Sequence, residues 1–292
     1  MKRTGAASAT SFFLPAVSGA GRRFCIYHAP HPAQPCRGAF VYAPPFADEM
    51  NRARRMAAMQ ARAFAAAGFG VLLIDLYGCG DSDGESGDAS WEAWKDDLAL
   101  AVQWLQQRLH VRPGIWGLRL GALLALDFAQ EHADDIGPLL LWNPVLNGQN
   151  FLTQFLRLQL AGEMMSGVQS AAQPGKSKGT VALRDMLQAG RTLEIAGYDI
   201  SPALALRLDS LDAMKLKPTA SALHWLEIVR NEDTPLPAAQ TRLAAHWQQQ
   251  NVALDLRTLS GPAFWSTPET TTSPSLIELS CALALADSEQ SA

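Results

Sequence analysis

No apolar run in this chain of 292 residues approaches the roughly 18 that a membrane-spanning helix requires. The longest, Leu120 to Ala129, is interrupted by Asp127, so no integral membrane segment is expected. Charge is scarce as well. Only 18% of residues are charged and the formal net charge is -4, which leaves no broad basic surface for nucleic acid or an anionic membrane. The four cysteines, Cys25, Cys36, Cys79 and Cys281, form no C-x-x-C pair. That scatter argues against a zinc site and fits reduced thiols, although an even count leaves pairing open. No metal and no cofactor is expected. Lys2 and Arg3 precede a stretch that Ser8, Thr10, Ser11, Pro15 and Ser18 break up, so a secretory apolar region does not form and a cytoplasmic location is expected.

The apolar content, 48%, supports one large α/β core with an appended piece. Phe12 to Leu14 and Phe24 to Tyr27 flank a Gly-rich turn and read as a hairpin. A short strand, Gly38 to Tyr42, leaves through a loop, residues 43–51, into a helix expected from Arg52 to Ala67. Continuous apolar character marks Gly70 to Leu76 and Pro138 to Val145 as buried parallel strands, and helical spacing marks Trp91 to Leu109. Strand, helix and strand recur from His224 to Leu259, with a helix over 238–250 between the strands and another after the closing loop. The alternation implies right-handed crossovers onto a parallel sheet. From residue 147 to 222 the pattern becomes helical, with pieces over 151–165, 181–187 and 202–214 and a flexible link over 173–179. The expected division is a core of residues 1–146 and 223–292 with a helical cap over 147–222.

The centre of this arrangement is Gly114-Ile115-Trp116-Gly117-Leu118-Arg119-Leu120-Gly121, an apolar strand that runs through G-x-x-x-G directly into a helix. Such a corner is the nucleophile elbow of the α/β-hydrolase fold, except that the serine of G-x-S-x-G is replaced by Arg119. The chain is therefore expected to have the α/β-hydrolase fold, a mostly parallel central sheet flanked by helices, with the cap inserted. The loop after the strand at Tyr42 is where this fold draws its second oxyanion donor. Pro44 and Pro45 lack an N–H, so Phe46 is the first residue able to donate, or else the loop merely caps its helix. Cys79 and Ser82, in the Gly/Asp-rich loop after Leu76, have no base close by in sequence and read as turn residues rather than nucleophiles.

Acyl transfer on this fold uses a serine, an acid and a histidine, in that chain order. An acid is available in the Asn231-Glu232-Asp233 turn, where Asp233 falls at the acid position. All six histidines precede the last strand, and the loop where the base belongs carries Phe264 and Trp265 instead. An arginine at a helix N-terminus requires an anion beside it. Two partners fit: an internal carboxylate, Asp48, Glu49 or Asp233, or the carboxylate, phosphate or sulfate of a ligand held together with elbow N–H groups.

The segments Pro44 to Asn51, Trp116 to Gly121, Leu141 to Val145, Phe151 to Leu158 and Gly261 to Trp265 resemble those of the second hydrolase family associated with the exosortase A system. The resemblance runs from Phe12 to Ala284. It implies a cytoplasmic accessory role in bacterial loci for exopolysaccharide production and for sorting proteins with a C-terminal PEP signal. The name hydrolase there reflects fold relationship, which is weak evidence of activity. The first expectation is a binding protein with a capped apolar pocket, its walls Phe46, Leu120, Trp142, Phe264 and Trp265, its anchor Arg119 and its neighbour Glu49, taking a small anionic or acyl-sugar ligand. The alternative is a hydrolase or acyltransferase that activates water through Asp233 or Glu49. The latter needs a carboxylate of raised pKa beside Arg119, whereas a cation lowers carboxylate pKa, so binding is favoured. A third expectation is a collapsed site whose surface recruits a partner protein.

Overall fold

The computed structural model describes residues 9–16, 21–166, 179–231 and 233–290. Strands β1 (Ala9–Pro15) and β2 (Arg22–His28) pair antiparallel and form the expected hairpin. Part of its turn, residues 17–20, lies outside the described residues. Strand β3 (Gly38–Ala43), helix α1 (Asp48–Ala66), strand β4 (Phe69–Ile74), helix α2 (Trp91–Leu109), strand β5 (Gly114–Leu118), helix α3 (Leu120–Glu131) and strand β6 (Leu139–Trp142) follow in alternation. Helices α4 (Gly148–Ser166) and α5 (Thr180–Gln188), the strands β7 (Leu193–Ile195) and β8 (Tyr198–Ile200), and helix α6 (Pro202–Ser210) occupy the interval before β9 (Leu223–Val229). Helix α7 (Ala238–Gln249), strand β10 (Leu254–Ser260) and helix α8 (Pro274–Gln290) complete the chain. Most of the expected flexible link falls outside the described residues.

The main sheet has eight strands in the order β1-β2-β4-β3-β5-β6-β9-β10. From β4 to β10 every pairing is parallel, and β2 alone runs against the other strands, antiparallel to β1 and to β4. This is the α/β-hydrolase fold. The C-terminal ends of β3, β5, β6, β9 and β10 therefore open along one edge, where ligands of open parallel sheets bind.

Alternation along the strands divides the core into two layers. Val41, Ile74, Ile115, Leu141 and Trp225 face α2, α3 and α7, meeting Leu98, Leu105, Leu123 and Trp247. Phe40, Tyr42, Trp116, Leu140, Trp142 and Leu226 face α1 and α8, meeting Met56, Phe64, Leu276 and Leu283. In this second layer Tyr42 meets Trp116 in a tilted contact at 4.3 Å, Trp116 meets Trp142 edge to face at 4.7 Å, and Trp142 Nε1 donates to Ser280 Oγ at 3.0 Å.

Two expectations change. Helix α1 begins at Asp48, not Arg52, because Ala47 turns the chain at φ 56° and Asp48 and Glu49 then suit the electropositive first turn. Glu49 is thereby a helical residue rather than a loop residue. The pair β7 and β8 was not foreseen, since strands of three residues are too short to show a period.

The two elbow glycines are required by contact. A Cβ on Gly121 would lie 2.1 Å from the Ala43 carbonyl oxygen, and one on Gly117 would lie 2.6 Å from Ala122 Cα. At the opposite end of the sheet, the buried His224 lies between Asp287 at 2.9 Å and Asp255 at 3.3 Å, joining β9 to β10 and α8. Burial pulls the imidazole pKa down, but the two carboxylates outweigh it and hold the value above the ordinary range.

Gly121→Ala is expected to lower stability by about 3 kcal/mol, through overpacking against backbone that has no alternative course. Urea unfolding measures this, and a loss below about 1 kcal/mol contradicts the close approach. For His224 the folded pKa lies above the unfolded one. Its contribution is therefore full below the unfolded value and is lost as pH rises through the folded value. Urea midpoints of wild type and His224→Gln should converge toward pH 9 and separate toward pH 6, with wild type the more stable.

Candidate functional site

Strand β5 ends at Leu118 and α3 starts at Leu120, so one residue makes the turn. Arg119 adopts φ 55° and ψ -116°, a backbone conformation that non-glycine residues rarely hold. Hydrogen bonds fix it there. Its N–H donates to the Trp142 carbonyl, and its carbonyl accepts from Ala122 and Val145. The Arg119 side chain projects beside the first turn of α1. Its Nε donates to Glu49 Oε1 at 3.2 Å and its Nη1 to the Asn143 carbonyl at 3.3 Å, while its guanidinium carbon lies 5.5 Å from the Trp265 ring centre. Of the three internal carboxylates expected to serve, Glu49 is the partner. Asp48 instead pairs with Arg52, and Asp233 stands exposed in its turn.

Each side chain of the Arg119–Glu49 pair is 23% exposed, so the pair is reachable from solvent. Glu49 Oε2 is nevertheless buried and has no hydrogen-bond partner among the described residues. Burial raises the Glu49 pKa, and Arg119 pulls it down with less effect. This reverses the expectation that a carboxylate beside Arg119 has a lowered pKa. The cation is present, but desolvation outweighs it.

The amide N–H groups of Phe46 and Leu120 take no acceptor among the described residues. Both residues line a small cavity, together with Pro44, Pro45, Leu76, Cys79, Trp94, Gly121 and Leu124. Its volume is about 10 Å³, the lower limit for one water. The space that an apolar ligand needs is filled by side chains. The Phe46 ring packs on Trp94 at 5.7 Å and on Phe155 and Phe151 of α4 at 5.2 and 6.4 Å.

Two expected wall residues do not reach this site. Trp142 and Phe264 are fully buried on the α1 and α8 side of the sheet, 6.1 Å apart. The reason is parity: Trp142 shares its face with Leu140, and Leu141 points the other way. Of the aromatic residues in the closing loop only Trp265 meets Arg119. Ser82 is a turn residue as expected, its hydroxyl donating to the Asp75 carbonyl at 2.5 Å and accepting from the Phe24 N–H at 2.9 Å. The Cys79 thiol is pushed up to about 12 by burial and by the charges of Asp75 and Asp97, which leaves it a poor nucleophile. All four cysteines are free.

Two residues near Arg119 were not singled out from the sequence. Asn143, at φ 42°, accepts from the Ile228 N–H at 3.0 Å and donates to the Ile228 carbonyl at 3.2 Å, so its carboxamide continues the ladder between β6 and β9. Glu227 on β9 is buried and accepts from Trp225 Nε1 at 2.8 Å and Gln240 Nε2 at 3.3 Å. Burial raises its pKa against those hydrogen bonds and the charge of Arg119. A lone carboxylate inside the apolar run His224 to Val229 was the available signal.

The serine aminopeptidase S33 family matches residues 34–192, more than half of the chain, and the chain belongs to that family. No curated protein matches it. Among solved structures it is similar to a thermostable carboxyl esterase from Bacillus coagulans, crystallised with glycerol, at TM-score 0.63 and 11% identity over 96% of this chain and 99% of that one. The proline iminopeptidase of Mycobacterium smegmatis gives TM-score 0.61 and 14% identity over 97% and 100% of the two chains. Est1E from Butyrivibrio proteoclasticus, with ferulic acid bound, gives 0.60 and 15% over 94% and 96%. At such identities the likeness is one of fold. The family match makes this a hydrolase-type α/β protein, and among its described residues no helix is long and apolar enough to cross a membrane.

Arg119→Ala strands Glu49 in a poorly solvated position. Stability is expected to fall by about 1–2 kcal/mol at pH 8, where Glu49 has to carry its charge unpaired, and by less at pH 4, where it is protonated. Equal losses at both pH values, read from urea midpoints, would argue against the pair.

Proposed function

We propose that this chain is a binding or accessory protein on a hydrolase scaffold, which holds an anionic or acyl ligand at Arg119 and does not run Ser-His-Asp chemistry. The observation that carries the proposal is the elbow itself. The residue in the strained turn is an arginine tied to Glu49, while the Phe46 and Leu120 N–H groups beside it have no acceptor among the described residues. A ligand carboxylate or acyl oxygen has donors there, but no hydroxyl meets it at the turn. Asp233 has no part in this site, and no histidine follows β10 in the sequence.

In this reading residues 147–222 act as a cap on a core of residues 1–146 and 223–292, and Phe151 and Phe155 withdraw from Phe46 when an acyl chain enters. Trp265 forms one wall beside the guanidinium. The sequence resemblance to the exosortase-associated family supplies the setting: a cytoplasmic accessory role in exopolysaccharide production and PEP-signal sorting.

A second reading has its own observation. The raised pKa of Glu49 and its unpartnered Oε2 suit a general base that draws a proton from water, with Arg119 stabilising the resulting oxyanion. An ester assay separates the two. Under the binding reading, p-nitrophenyl butyrate is not turned over and a fluorophosphonate leaves no adduct. Octanoate at roughly ten times its Kd should raise the Tm by about 3 °C in wild type and not in Arg119→Ala. Saturable turnover that disappears in Glu49→Gln would replace binding with the second reading, and a fluorophosphonate adduct would refute both.

A further inference from the structure

If Arg119 holds a ligand anion, the geometry already places another anion on it. Glu49 Oε1 occupies the Nε edge of the guanidinium at 3.2 Å, and the Asn143 carbonyl takes Nη1 at 3.3 Å. The incoming anion therefore has to compete with a resident carboxylate. Charge sets the terms of that competition. Arg119 and Glu49 form a neutral pair, so a second anion beside them leaves one uncompensated negative charge in a site only partly open to water.

The neighbours do not relieve that excess. Asp48 stands next to Glu49 on α1 and adds negative charge, and the buried Glu227 on β9 also interacts with the charge of Arg119. Tyr42, on β3, is fully buried against its own ionisation and supplies no charge. Trp265, from the loop after β10, contributes only an aromatic face. Arg52, one turn along α1, is held by Asp48 at 2.5 Å and by the Thr267 carbonyl at 2.5 Å. No second cation is thus available to the pair among the described residues, and Glu49 itself is the group able to lose a charge.

We infer that Arg119 and Glu49 form a proton-coupled exchange site, in which a monoanionic ligand bearing an apolar tail takes the place of Glu49 on the guanidinium while Glu49 takes up one proton from solvent. The inference rests on the binding function proposed above. The balance is one anion and one proton bound per site, so the site stays neutral: Arg119 cationic, ligand anionic, Glu49 neutral. The proton goes to a Glu49 oxygen. Oε2 is available, since it has no partner now, and once protonated it donates to an oxygen of the ligand. Exchange in place of simple addition also accounts for the otherwise unexplained orphan: an oxygen left without a partner in the free protein acquires one in the complex. The raised pKa of Glu49 lowers the cost of that protonation.

Linkage fixes the sign. While free Glu49 is ionised, one proton enters with each ligand, so the apparent affinity falls about tenfold for each unit of rising pH. Below the free Glu49 pKa the dependence flattens, because the proton is already there. A sulfonate does not titrate in this range, so any pH dependence of its binding belongs to the protein.

The experiment is isothermal calorimetry of the full chain with octanoate and with octanesulfonate, from pH 6 to 8, in buffers of different ionisation enthalpy. The expected result is uptake of about one proton per ligand for both probes, uptake near zero in Glu49→Gln, and binding of octanesulfonate to that variant at least tenfold tighter than to wild type at pH 8. Binding that is lost in Arg119→Ala but carries no proton in wild type would overturn the exchange and leave the binding function standing. Failure of both probes to bind wild type and Glu49→Gln at millimolar concentration would overturn both. If Glu49→Gln does not fold, the proton count and the sulfonate pH series on wild type decide the matter alone.

Discussion

The closeness of the elbow turn to β3 constrains the rest of the molecule. Gly121 passes so near Ala43 and Pro44 that a single methyl group does not fit, and Gly117 is pressed as closely on the start of α3. With both flanks fixed, the residue between them has no freedom to relax out of φ 55°. The turn therefore presents whatever side chain the sequence supplies at the C-terminal edge of the sheet, beside the N-terminus of α1. In this chain it presents a guanidinium. The backbone geometry that raises a nucleophile on this fold is kept, and the chemistry at its tip is exchanged for a fixed positive charge.

That charge organises the second layer of contacts. An arginine at the start of one helix and beside the start of another sits in two unfavourable dipole fields, which only a nearby anion offsets. Glu49 supplies it, and the helix beginning four residues earlier than its periodicity suggests is what brings Glu49 within reach. Asn143 closes the third side by giving its carbonyl to Arg119 and its carboxamide to β9. The site is a frame of three strand ends and one helix start, in which the Arg119–Glu49 pair is open to solvent.

Much of this was legible in the sequence because it follows from period and punctuation. The buried strands were visible as continuous apolar runs, helix α2 from its spacing, and the elbow from two glycines four residues apart. Position along a strand was legible too, but which face a residue takes was not. Trp142 and Phe264 look like pocket walls because they lie near the right strand ends. Alternation sends Trp142 to the opposite layer, where its indole N–H finds Ser280. Glu227 was hidden for a related reason: one carboxylate in an apolar strand has no period, and only packing shows that Trp225 and Gln240 satisfy it. The pKa of Glu49 was least legible of all, since its direction depends on a contest between desolvation and one ion pair that only three-dimensional burial decides.

The same contest bears on how a fold of enzymes can host a site without their nucleophile. A serine at the turn would require a base, and the loop after β10, the place for one, instead lays Trp265 against the guanidinium. Replacing Arg119 by serine alone would thus remove the counter-charge of Glu49 without assembling a proton relay, leaving a half-buried carboxylate facing a hydroxyl with no histidine between them. The arginine, the glutamate and the tryptophan form one unit, each explaining the presence of the other two. Phe151 and Phe155 against Phe46 extend the unit by closing its apolar side. In the proposed exchange, entry of a ligand with an apolar tail involves two displacements, of aromatic rings by the tail and of Glu49 by the head. Neither displacement has reason to proceed unaided, because a tail without an anion gains nothing at Arg119 and a small anion without a tail leaves the aromatic plug in place. Under that proposal, coupling the two at one site selects for ligands that carry both.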